Sequence, residues 1–182
     1  MKKFIPLLLS FALCLALFSA CDGNDTSSTP DSITSEASIT ADYDVHEILS
    51  AIDSLTPVTE PKDLDERTLS LLMNVNMENV VAFAGKITML NQNTDQIVVI
   101  QAVPGQAEAV AADLEAWRQA NVDMSANYTE FAGEGIKAEN GRIVVMGDFV
   151  VLVILGDGDD MLLNGAGAFY TEVDAAIEAA FA

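Results

Sequence analysis

The chain has one histidine, two cysteines and 28 carboxylates with which to do chemistry. That inventory removes most catalytic mechanisms. His46 stands beside Glu47 at the expected start of a helix, where an imidazole is ordinarily solvated. A single histidine cannot build a histidine-rich metal centre, and it leaves Ser-His-Asp and Cys-His triads little footing. Cys14 and Cys21 fall within or beside the N-terminal apolar run. The rest of the chain therefore has no thiol for catalysis, zinc binding or a disulfide. What remains is carboxylate chemistry. Asp157-Gly158-Asp159-Asp160 is the densest acidic group, and carboxylates on a glycine-containing loop suit calcium, which takes roughly six to eight oxygens. Asp157, Asp159 and Asp160 are the candidate ligands of a weak site. The EF-hand pattern is not met, because Met161 stands where its third oxygen ligand belongs. A solvated acidic loop explains the same residues. Paired carboxylates could also serve glycoside hydrolysis, but acids are spread over the whole chain. Trp117, on an apolar helix face, reads as core before it reads as a sugar platform. Gly133-Glu134-Gly135 and Gly165-Ala166-Gly167 do not lie between a strand and a lysine-bearing helix, so they are not phosphate loops. No cofactor is expected.

Any such group must be positioned by a folded core, and the stretch from Arg142 to Gly156, RIVVMGDFVVLVILG, organises it. Gly147-Asp148 suits the two-residue turn of a hairpin. Ile143, Val144 and Val145 precede it; Val150, Val151, Val153 and Ile154 follow. These β-branched residues fit a pleated surface. The second strand is apolar on both faces, which places it inside a sheet covered on each side. Gln96 to Val103 reads as another buried strand and Val80 to Leu90 as its partner, with Gly85 weakening the middle or marking a bulge. Asp44 caps a first helix carrying Val45, Ile48, Leu49 and Ile52. Asp63 and Glu66 open a short second helix with Leu69, Leu72 and Met73. Gln106 to Ala120 carries Val110, Leu114 and Trp117 on one face. A short helix near Tyr128 to Phe131 should be broken by Gly133 and Gly135. Asp157 to Gly167 reads as a loop, and Ala168 to Phe181 as a last helix with Phe169, Val173, Ile177 and Phe181 at four-residue steps. The order is helix, helix, strand, strand, helix, strand, strand, helix. That predicts an α+β fold with an antiparallel sheet of about four strands in two hairpins, spanning residues 43–182 as one domain.

Residues 1–20 have a basic start at Lys2-Lys3, an apolar run from Phe4 to Phe18 and the small residues Ser19-Ala20, the pattern of a secretory signal. The run is too short for a membrane-spanning helix. Leu17-Phe18-Ser19-Ala20-Cys21 resembles the lipobox of bacterial lipoproteins. Ser19, Ala20 and Cys21 match that pattern, and Phe18 departs from its usual leucine. The resemblance implies diacylglyceryl modification of Cys21 and stable membrane attachment. The alternative is an ordinary signal cut near Ala20 that leaves Cys21 free. Residues 21–42 are rich in Asp, Ser, Thr and Gly and bury too little to fold. As a polar tether they would reach roughly 25 Å.

Without Lys2 and Lys3 the chain holds six basic residues against 28 acidic ones, a balance of −22. Such a surface repels phosphate backbones, which excludes nucleic-acid partners. From about Val45 to Leu155 the chain resembles a family of Gram-positive bacterial lipoproteins known only as a domain of unknown function. The residues that carry this are Gln96-Ile97-Val98-Val99-Ile100-Gln101-Ala102, the helix with Val110 and Leu114, Tyr128, and Gly147-Asp148-Phe149-Val150-Val151-Leu152-Val153-Ile154. The family implies a surface lipoprotein and no established activity. Together these features predict a monomeric, membrane-anchored, extracytoplasmic module that binds an envelope protein or ligand without catalysis. The competing expectation is a carboxylate-dependent hydrolase of envelope material.

Overall fold

The computed structural model describes residues 43–182. The expected signal, Cys21 and the expected tether lie outside the described residues. The hairpin forms as its composition requires: β4 (Arg142–Met146) and β5 (Phe149–Ile154) pair antiparallel, with Met146 opposite Phe149. Gly147 takes φ 63°, and Asp148 is not left-handed. That matches a II′ turn, whose first central position favours glycine. β5 lies between β4 and β3 (Gln96–Ala102) in a sheet ordered β1-β2-β3-β5-β4, antiparallel throughout. Phe149, Val151, Val153 and Leu155 face one core with α1 (Val45–Asp53) and α5 (Gly167–Ala180). Val150, Leu152 and Ile154 face another with α2 (Ala107–Ala126). All six β5 residues are buried, because side chains alternate along a strand and helices cover both faces.

The α+β class holds, with differences in detail. The sheet has five strands among the described residues, because β1 (Pro61–Asp63) adds to the edge of β2 (Val80–Thr88). β1 is short, polar and exposed, so it carries no hydrophobic signal. The second helix is capped by Asp65, not Asp63: Oδ1 of Asp65 accepts from Thr68 N and Oγ1. It widens into a π turn over Thr68–Leu72, which buries Leu69 and Met73 and leaves Leu72 exposed. Gly85 is not at a bulge; the irregularity lies between Val80 and Ala82. Gly85 instead allows a close approach, since an added Cβ would stand 2.6 Å from the Ile97 carbonyl oxygen.

Two expected breaks are helices. α3 (Ala132–Asn140) runs through Gly133 and Gly135. Each glycine costs a helix only about 1 kcal/mol, and Gly133 packs directly on the backbone of Gly158, where a Cβ would meet carbonyl atoms at 2.5 Å. α4 (Gly158–Asn164) fills the expected Asp157–Gly167 loop. Asp157 caps it, and Asp159 and Asp160 sit in a first turn that favours negative charge.

Candidate functional site

Lys137, the only lysine after Lys86, is fully buried on α3. A buried ammonium must be paired. Its Nζ donates to Asp95 Oδ1 at 2.7 Å and to the Gly156 carbonyl at 3.4 Å, and it lies 2.8 Å from Glu134 Oε2. Asp95 closes the β2–β3 turn and is itself buried. Its Oδ2 accepts from Thr59 N at 3.2 Å and Thr59 Oγ1 at 2.7 Å. Glu134 Oε2 also accepts from Thr94 N and Oγ1, at 2.8 and 3.0 Å. This network ties the segment after α1, the β2–β3 turn, α3 and the end of β5 to one charge centre. Tyr170 extends it from α5, its hydroxyl donating to the Lys137 carbonyl at 2.8 Å. Burial, the dominant cause, pushes the Tyr170 phenol well above its ordinary range.

Above the network lies a cavity of about 520 Å³. Asp95, Glu130, Glu134, Asp157 and Asp159 all line it, with Thr59, Gln92 and Asn93. The first turns of α3 and α4 meet at its wall through Gly133 and Gly158. A second hollow of about 420 Å³ adjoins it, sharing Gln92, Asn93, Glu130, Phe131 and Glu134. Met124 and Tyr128 line this second lobe, both about half exposed at 52% and 51%. The Tyr128 and Phe131 ring centroids are 5.6 Å apart. The result is one cleft with an acidic lobe and an aromatic lobe.

The carboxylates differ in availability. Both Asp95 oxygens are engaged, and Glu134 Oε2 receives three donors, so these two hold the structure together. Glu130 and Asp159 are exposed at the mouth and have no ion-pair partner among the described residues.

The expected calcium residues have other duties. Asp157 Oδ1 accepts from Asp159 N at 2.9 Å and Asp160 N at 3.1 Å. Asp160 Oδ1 accepts from Asn164 Nδ2 at 2.7 Å. Among the described residues no group of three or more His, Cys, Asp or Glu is arranged to hold a metal. His46 is exposed on α1. Trp117 is half-buried against the α2-side core, its Nε1 donating to Gln96 Oε1 at 2.7 Å. The sequence pattern passed over Asp95, Glu134 and Lys137. The available signal was a lone lysine three residues after a glutamate, a spacing that pairs on a helix. No family model, curated protein or solved structure matches the chain.

Proposed function

We propose that the chain is a lipid-anchored extracytoplasmic lipoprotein, held through Cys21, whose domain binds a ligand without turning it over. The lipobox-like run, the absence of cysteine beyond it and the lipoprotein-family resemblance support the anchor. The two-lobed cleft carries the binding reading. Its deepest carboxylate, Asp95, is committed on both oxygens to Lys137 and Thr59, which leaves it no proton-transfer role. The open acids Glu130 and Asp159 suit a cationic group, and Met124, Tyr128 and Phe131 suit an apolar body attached to it. The ligand class is therefore an amine or guanidine with an aromatic or aliphatic portion.

The convergence of carboxylates also supports the second reading, a hydrolase of envelope material, in which Glu130 and Asp159 would do the chemistry. Thermal unfolding of the full chain in detergent micelles tests the proposal. Phenethylamine should raise the melting temperature and phenylpropionate should not. A ligand at a hundredfold excess over its dissociation constant adds about 2.7 kcal/mol. The combined Glu130→Gln and Asp159→Asn variant should lose the response. An equal response to both probes, or an unchanged response in the variant, refutes the assignment.

A further inference from the structure

The two edges of the sheet are built differently. Natural sheets protect their edges with short strands, proline, lysine or bulges, because unpaired backbone groups recruit other strands. The β1 edge has three of these: the strand is only three exposed residues long, and Pro61 and Lys62 are two of them. The β4 edge has none. Its five residues read Arg-Ile-Val-Val-Met and pair with β5 in unbroken register.

The two-residue turn makes Met146 and Phe149 a hydrogen-bonded pair, so Met146, Val144 and Arg142 spend their backbone groups on β5. Ile143 and Val145 then turn their N–H and C=O groups outward. No described residue bonds to them there. Arg142, the one charged side chain on the strand, is held back by Asp174 at 2.7 Å and by the Asn140 carbonyl at 2.6 Å. It does not guard the edge.

We propose that the β4 edge docks an extended, basic segment of another polypeptide, which joins the sheet as a further strand. Backbone hydrogen bonds to Ile143 and Val145 would supply the affinity. The sign of the partner follows from charge. Residues 43–182 hold 23 acids against six bases, and five of those bases are in ion pairs. A second copy brings the same negative field to the edge, whereas a lysine- or arginine-bearing strand is attracted by it.

The test uses the full chain in detergent micelles and a nine-residue peptide alternating lysine and valine. Amide hydrogen exchange is read at Ile143 and Val145. The peptide should slow exchange at both by at least about tenfold. A glutamate-valine peptide, and a lysine-valine peptide N-methylated along its bonding edge, should not. Val145→Pro removes an outward N–H that β5 does not use, a place where edge strands tolerate proline. It should weaken the lysine-valine peptide at least about tenfold while the circular dichroism stays unchanged. If that variant does not fold, the N-methylated peptide decides alone. No slowing at millimolar peptide, slowing confined to other amides, or equal effects of both charge types overturn the proposal. Exchange at these amides that already slows with rising protein concentration overturns it too, because a second copy then fills the edge.

Discussion

Replacing Lys137 with Met keeps the apolar stem in place and removes only the charge centre. Three contacts are lost, but their consequences are unequal. Glu134 keeps both Thr94 donors and its side chain is 18% exposed, so water can reach it. Gly156 loses only a long contact. Asp95 keeps the Thr59 donors on Oδ2, but its Oδ1 is left without a partner in a side chain that is 3% exposed. Breaking a buried ion pair by removing one partner costs about 3–5 kcal/mol. Nearly all of that cost should fall on the one Asp95 oxygen. Against a domain stability of about 5–15 kcal/mol the loss is large. Adding Asp95→Asn to Lys137→Met removes the stranded charge, so the double variant should be more stable than the Lys137→Met single. Urea unfolding of the four proteins, followed by circular dichroism, measures the coupling. A loss below about 1 kcal/mol for Lys137→Met, or a double variant no more stable than the single, would refute the claim that Asp95 depends on this lysine.

Leu152→Ala and Val153→Ala should both be costly in urea unfolding, the leucine by about 2–5 kcal/mol and the valine by somewhat less, since each faces a covered side of the sheet; a near-neutral result for either means that its face is open. Gly133→Ala should destabilise by about 1–3 kcal/mol through overpacking against Gly158, against the usual gain of alanine in a helix, and a stabilised variant would mean that α3 and α4 separate freely. Tyr170 holds its proton more tightly folded than unfolded, so its contribution is full below the unfolded value of about 10 and is lost as pH rises above it. Unfolding free energy measured against pH should therefore fall above about pH 10, and Tyr170→Phe should flatten that decline; an equal slope in both proteins contradicts the assignment.

The hairpin was the most legible part of the chain, because turn chemistry, β-branching and two-faced burial all act over neighbouring residues. The misread parts depend on contacts far apart in sequence. Gly133 looks like a helix breaker until Gly158 lies against it. Asp157-Gly158-Asp159-Asp160 looks like a loop or a calcium site, because an N-cap followed by acids in a first turn has the same composition as a solvated acidic run. Tyr170 sits one position off the Phe169, Val173, Ile177 and Phe181 spacing, so the four-residue stripe hid it; Tyr170, Val173 and Ile177 are the buried residues of α5. Lys137 and Asp95 are 42 residues apart, and nothing local to either indicates that both are buried. Glu130 and Asp159 were two acids among 28, and only the cleft distinguishes them.

The domain is proposed to work at a membrane, held there by one cysteine, and replacing that cysteine tests the claim most directly. Cells producing the full chain or its Cys21→Ala variant are fractionated, and the protein is followed by blotting. The wild-type chain should be found in the membrane fraction. The variant should appear in the medium or persist as a larger, uncut precursor. A variant that is cut normally and stays membrane-bound would contradict the account, because something other than Cys21 would then be the anchor.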